Sequence, residues 1–191
     1  MEKQRCWWCG DDPLYVAYHD TEWGVPVKDD AKLFEFLTLE TFQAGLSWIT
    51  VLRKRENFRK AFDHFNYNKI AAYSEEKVQE LLQNNGIIRN KLKVRATISN
   101  ARAFMEVQEE FGSFSDYIWG FVDGKPIQNT LKNKEEVPAN TALSDTISKD
   151  LKKRGFKFVG STVVYAHMQA TGMVNDHLTH CFRYQEIKDM L

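Results

Sequence analysis

Proline is scarce in this chain, 4 in 191 residues, and glycine reaches only 10. That excludes collagen-like, linker-dominated and low-complexity architectures. Apolar runs long enough to cross a bilayer as a helix are missing, so no membrane partner is expected. Three cysteines are too few to staple a chain of this size with disulfides, and they favour thiolate chemistry in a reducing compartment. The opening MEKQRCWWCG passes from charge to cysteine and tryptophan without an apolar stretch, so no secretion signal is expected and the chain is assigned to the cytoplasm. Net charge is absent as well: 26 Lys and Arg face 26 Asp and Glu, leaving no overall bias toward nucleic acid. Residues 1–191 are expected to form one domain, or two small helical lobes sharing a core. Without a surplus apolar stretch that calls for a partner surface, a monomer is expected.

Sustained two-residue alternation is the last thing lacking, and helical periodicity takes its place. Apolar positions predict helices over Lys32–Phe42 and, after a break at Gly45, over Leu46–Phe58. Ser74-Glu75-Glu76 reads as a capped helix start that stops before Gly86. Further helices are expected over Lys91–Phe111, Phe114–Phe121 and Ser144–Lys153. The run Ser161-Thr-Val-Val-Tyr-Ala-His-Met-Gln-Ala170 is rich in β-branched residues, yet its length and the turn before it predict a buried helix ending at Gly172. The fold class expected is all-α.

Two metal-capable pairs lie at opposite ends of the sequence, Cys6 with His19 and His177 with Cys181. Zinc takes four tetrahedral ligands in structural sites, so this divided Cys2His2 set would bind one Zn2+ only if the fold joins the two ends. Cys9 competes, since Cys6 and Cys9 form a C-x-x-C pair in which Cys9 would replace His19; His167 and His180 are further nearby donors. Four protein ligands would leave no open position for water, making the ion structural.

Charge is distributed locally. Lys149, Lys152, Lys153, Arg154 and Lys157 face one acid, Asp150, and a second basic cluster runs through Arg89, Lys91, Lys93 and Arg95. Each cluster taken alone is as readily a solvated helix face as a contact with DNA. The stretch Leu151-Lys-Lys-Arg-Gly-Phe-Lys-Phe-Val-Gly-Ser-Thr162 says more. A helix, a turn bounded by Gly155 and Gly160, and a second helix opening at Ser161 and Thr162 would turn backbone N–H groups toward an anion such as a DNA phosphate. The segment, about residues 151–162, resembles the hairpin of helix-hairpin-helix DNA repair glycosylases.

Four of the five tryptophans, Trp7, Trp8, Trp23 and Trp48, lie in the first quarter of the chain with Tyr15 and Tyr18. Each alone is ordinarily a core residue. Among them stands Glu40, a lone carboxylate on an otherwise apolar helix just before a glycine break. It is either a solvated or capping residue, or a buried group that hydrogen-bonds a ligand. An aromatic cage with one carboxylate suits a flat cationic ligand such as an alkylated purine.

From Cys6 to Cys181 the chain resembles the bacterial 3-methyladenine DNA glycosylases of type I. The resemblance is carried by Asp12-Pro-Leu-Tyr-Val-Ala-Tyr-His-Asp-Thr-Glu-Trp-Gly-Val-Pro26, Leu39-Glu40, Gln43-Ala-Gly-Leu-Ser-Trp-Ile-Thr-Val-Leu52, Arg55-Glu-Asn57, Gly86-Ile-Ile-Arg89, Asn100-Ala-Arg102, Lys152-Lys-Arg-Gly-Phe-Lys-Phe-Val-Gly160 and Val174-Asn-Asp-His177. It implies a helix-hairpin-helix fold with a zinc site joining the terminal segments, alkylated double-stranded DNA as partner, and excision of 3-methyladenine. It also implies Cys6, His19, His177 and Cys181 as zinc ligands, Glu40 as the group that hydrogen-bonds the base, Trp48 as its stacking partner, and Tyr15, Tyr18, Trp8 and Trp23 as pocket walls. Gly155, Lys157, Gly160 and Ser161 would meet DNA at the hairpin, and Leu46 is a candidate wedge for the gap left by the base, or else an ordinary core leucine. Relatives with lyase activity carry a lysine just after the hairpin; Ser161 and Thr162 stand there instead, so a monofunctional enzyme is expected. Asn175 and Asp176 are the nearest candidates for the superfamily's aspartate, but Asp176 abuts His177, where it could instead orient that ligand, and its role is left open. A zinc-stapled DNA-binding module without catalysis is the alternative.

Overall fold

A computed structural model of the chain describes residues 3–190, and helices dominate it. In chain order these are α1 Pro13–Thr21, α2 Asp30–Gln43, α3 Trp48–Ala61, α4 Tyr67–Ala71, α5 Glu75–Gln83, α6 Lys91–Phe111, α7 Phe114–Gly120, α8 Ala142–Lys153, α9 Ser161–Ala170 and α10 Phe182–Lys188. Two short strands, β1 Ile127–Gln128 and β2 Val174–Asn175, pair in parallel with Ile127 opposite Val174. Among the described residues no helix is long and apolar enough to cross a membrane.

The expected helices are present with shifted ends. The second begins at Trp48, not Leu46, because Gly45 at φ +82° turns the chain and Leu46 closes the turn through its N–H to the Gln43 carbonyl. Three short helices escaped the periodicity argument. Of these α1 carried a local signal: Asp12 caps it by accepting from Leu14 N and Tyr15 N, and Pro13 takes the first turn, where its missing N–H costs nothing. α4 and α10 are too short for a period to show.

The core forms around α2. Nine of its residues are buried, from Leu33 to Phe42 with Glu40 among them, so the helix is enclosed by α3, α6, α7 and α9 rather than laid on a surface. Phe34, Phe42, Phe58, Phe62, Phe104 and Phe114 fill the interior about it. The β-branched run 161–170 is indeed the buried helix α9. It ends at Gly172, φ +72°, where an added Cβ would stand 2.5–2.6 Å from backbone atoms of Gly24, Val25 and Pro26. Thr171 O accepts from Val27 N at 2.9 Å beside that contact, locking the 23–27 loop against the end of α9.

Candidate active site and metal centre

Five elements converge on one cleft of about 310 Å³. The 3-10 turn at Trp7–Cys9 and α1 supply Trp8, Tyr15 and Tyr18; the end of α2 supplies Glu40 and Gln43; the start of α3 supplies Trp48; and α9 supplies Thr162, Ala166 and Gln169. All six pocket residues expected from sequence therefore meet. Trp7, Gln43, the Val137–Ala139 segment and the α9 face were not anticipated. The α9 positions carry the signal in retrospect, since Thr162, Ala166 and Gln169 follow an i, i+4, i+7 spacing on a helix whose other residues are mostly buried.

The aromatics form a continuous wall. Trp8 lies 5.0 Å from Tyr15 and 5.0 Å from Trp23 between ring centroids, and Tyr18 lies 5.5 Å from Trp48. Behind them Glu40 is 4 % exposed. Burial, with no charged partner or hydrogen-bond donor among the described residues to offset it, raises the Glu40 carboxyl to about 8. The solvated and capping alternatives for Glu40 are thereby removed. Burial, with Glu40 nearby, also holds the Tyr18 phenol well above its ordinary value. The cleft thus offers electron-rich faces and one unsatisfied carboxyl group, a combination suited to a flat ligand that is cationic or rich in donors.

The divided Cys/His set closes into a cluster. The Sγ atoms of Cys6 and Cys181, His19 Nε2 and His177 Nδ1 are all buried and lie within 4.8 Å of one another. His19 Nε2 is 3.5 Å from Cys181 Sγ, and His177 Nδ1 is 3.6 Å from both sulfurs. A tetrahedral zinc with Zn–S near 2.3 Å and Zn–N near 2.0–2.1 Å requires S···N edges of about 3.6 Å, so the donors already stand at coordination spacing. The outer nitrogens fix the tautomers: His19 Nδ1 donates to Asp20 at 2.8 Å, and His177 Nε2 donates to the Trp23 carbonyl at 2.9 Å. The closeness of the two thiols pushes Cys6 up and holds Cys181 down, so the pair shares the negative charge that a bound cation would neutralise.

The rival donors stand elsewhere. Cys9 points its Sγ at the Cys6 carbonyl, 3.3 Å away, His167 donates to Leu33 O, and His180 is exposed. Of the roles left open for Asp176, orienting His177 is not the one it takes. It accepts from Tyr165, Gln169 and Asn129, while Trp23 takes the orienting role. Cluster and cleft share a wall, since Trp8 packs on His19 at 5.2 Å and Trp23 on His177 at 4.7 Å.

On the neighbouring face α8 and α9 flank the turn 154–160. Gly155 sits at φ +94° with open space around it, and Lys157 is exposed. Asn100, buried on α6, grips the turn twice: Nδ2 donates to Lys157 O at 3.1 Å, and Oδ1 accepts from Lys157 N at 2.7 Å. Ser161 Oγ meets Ser144 Oγ at 2.8 Å, tying the two helices, and no side chain caps the start of α9. The basic clusters shrink in three dimensions. Arg154 is paired with Glu110 and Asp150, Arg95 with Glu75, and Lys93 is buried on the carbonyls of Phe42 and Ala44. Lys149, Lys152, Lys153 and Lys157 remain exposed. Leu46 is 38 % exposed at the turn between α2 and α3, so it is not a core residue.

The methyladenine glycosylase family model matches residues 8–184. The DNA-3-methyladenine glycosylase 1 of Escherichia coli (strain K12) is 52 % identical over 95 % of this chain and 97 % of its own length. The DNA-3-methyladenine glycosylase of Haemophilus influenzae (strain ATCC 51907 / DSM 11121 / KW20 / Rd) is 48 % identical over 93 % and 96 %. Among solved structures, one of 3-methyladenine DNA glycosylase I from Staphylococcus aureus, described for its recognition of 3-methyladenine, superposes with a TM-score of 0.89. It is 34 % identical, over 92 % of this chain and 95 % of that one.

Proposed function

We propose, from the premise that the chain belongs to the methyladenine glycosylase family, that it removes 3-methyladenine from alkylated double-stranded DNA and leaves an abasic site without cutting the strand. The observation that carries this is Glu40, a buried carboxyl with no hydrogen-bond partner among the described residues, facing a cleft walled by Trp8, Tyr15, Tyr18, Trp23 and Trp48.

Methylation at N3 makes the purine a cation and weakens its bond to the sugar. When C1′–N9 breaks, the electron pair passes to N9 and the base departs neutral; water then adds to C1′ and gives up a proton. Little general acid is needed. The work left to the protein is extrusion of the nucleotide, at a few kcal/mol of unstacking, and retention of the lesion in a dry cage. The aromatic faces favour the cation, by ~2 kcal/mol or more when desolvated. Glu40 accepts from the base, with Trp48 stacked on it. At the hairpin, Gly155, Lys157, Gly160 and Ser161 meet the backbone: the uncapped N–H groups of α9 take a phosphate, and Gly160, whose φ of −60° does not demand glycine, lets that phosphate come close. Leu46, held on its turn by Gln43 Nε2 to Leu46 O at 2.7 Å, fills the gap left by the base. No lysine follows the hairpin, in keeping with a monofunctional enzyme.

Zn2+ is the ion proposed for the cluster, held by Cys6, His19, His177 and Cys181. With four protein donors it braces the terminal segments and supplies no water to the reaction. The protein is proposed to act in the cytoplasm as a monomer, its single domain carrying both cleft and hairpin.

The test uses duplex DNA methylated with a labelled methyl donor. Wild-type protein releases soluble label, and Glu40→Ala releases little while keeping its fold. Equal release by the two proteins would remove Glu40 from the mechanism, and no release by either would overturn the proposed activity.

A further inference from the structure

We propose that Gln169 is a specificity-determining residue that accepts a hydrogen bond from the exocyclic amine of the flipped base, with Asp176 holding its amide in the accepting orientation. This rests on the glycosylase reading above and extends it to a second polar contact.

Gln169 lines the cleft from α9, facing the α2 wall that carries Glu40. It stands seven residues beyond Thr162, which lines the same cleft near the hairpin. At 1.5 Å per residue the separation along the helix is about 10 Å, placing Gln169 at the end remote from the phosphate-gripping turn. That end receives the base rather than the sugar.

The orientation of the amide follows from its partners. Three donors converge on the Asp176 carboxylate: Tyr165 Oη at 2.7 Å, Asn129 Nδ2 at 2.7 Å and Gln169 Nε2 at 2.9 Å. Asp176 is 1 % exposed, and a carboxylate in that company accepts, so the amide nitrogen must face it and Oε1 is left for the cleft. The base therefore meets two acceptors, the Gln169 carbonyl from α9 and, in its ionised form, the Glu40 carboxyl from α2. An adenine offers an amine with two hydrogens at C6, enough for one bond to each wall. A guanine offers an oxygen there, which would face acceptors only and be left unpaired.

The experiment pairs a change in protein with a change in ligand. Free 3-methyladenine and 3-methylpurine, which lacks the amine, are titrated into wild-type and Gln169→Leu protein, with tryptophan fluorescence as readout. Loss of the amine weakens binding to the wild type, and in Q169L that penalty shrinks by roughly tenfold, the size of a hydrogen bond that involves a charged or tightly held partner. An equal penalty in both proteins would overturn the proposal, because a structural role for Gln169 would weaken both ligands alike. If Q169L loses its helical circular dichroism, Gln169→Met, which keeps the length of the side chain, is read by the same criterion. Failure of the wild type to bind either base would instead count against the glycosylase reading itself.

Discussion

His19 Nε2 and Cys181 Sγ, 162 positions apart in sequence, stand 3.5 Å apart in the fold. That contact closes the N- and C-terminal segments on each other, and the cluster's two histidines, His19 and His177, brace Trp8 and Trp23 of the cleft. Structure at one site is thus packed directly against the other.

Removing a metal ligand should therefore cost more than stability. If the cluster holds the proposed zinc, Cys181→Ser is expected to lose the ion and to melt at least ~10 °C lower. Where the variant remains folded, its affinity for 3-methyladenine should fall too, because Trp8 and Trp23 lose their backing. Metal analysis with calorimetry checks this; a zinc-free variant with unchanged melting would contradict the assignment.

Glu40 should impose a pH dependence. Its carboxyl is raised to about 8 by burial, above its unfolded value, so the folded state binds more protons than the unfolded one between those two values. Stability consequently falls as pH rises through that window. The ionised form attracts a cationic lesion, so single-turnover excision should rise from pH 6 to 9 with a midpoint near 8. Glu40→Gln should flatten both profiles and slow excision ~10–100-fold, the cost of a hydrogen bond to a charged group. A flat wild-type rate profile would refute this role.

Asn100 separates DNA binding from base binding. With its two hydrogen bonds to the Lys157 backbone removed, Asn100→Ala should weaken duplex binding ~10-fold while its affinity for free 3-methyladenine stays at the wild-type value. Lys157→Ala should lower the slope of log affinity against log salt by about one. Electrophoretic or anisotropy titrations at several salt concentrations report both.

Two glycines at positive φ should behave differently when changed to alanine. At Gly172 the added Cβ would overlap backbone at 2.5–2.6 Å, so both strain and collision apply and a loss of ~2–5 kcal/mol is expected. At Gly155 nothing lies within 4 Å, and only the strain of a left-handed residue remains, ~1–2 kcal/mol. Denaturant melts distinguish the two, and equal losses would mean the 24–26 contact is not rigid.

Much of this was legible in the sequence, for physical reasons that differ by residue. The long helices showed because α6 and α8 each bury one face, a pattern with a period. α2 was harder, being buried nearly all round, and its lone Glu40 stood out only against that apolar surround. Residue types alone left the ligand set open until the family resemblance narrowed it, and the fold supplies the physical reason: Cys9 lies three residues from Cys6, yet its sulfur turns to a carbonyl. The role of Asp176 stayed open because adjacency in sequence to His177 does not set side-chain direction. Gln169 left only its i, i+4, i+7 spacing with Thr162 and Ala166 as a signal, and the Val137–Ala139 segment left none, since a glutamine on a helix and a short loop look like surface until the helix is packed. Charge counts misled for the same reason, with Lys93, Arg95 and Arg154 already engaged.

The most direct measurement of the central claim is chromatography of the free bases released from methylated duplex DNA by purified protein, with the strand examined for breaks before and after alkali. Release of 3-methyladenine, with breaks appearing only after alkali, is the predicted result. Bound DNA from which no base is released, or breaks that precede alkali, would contradict a monofunctional 3-methyladenine glycosylase.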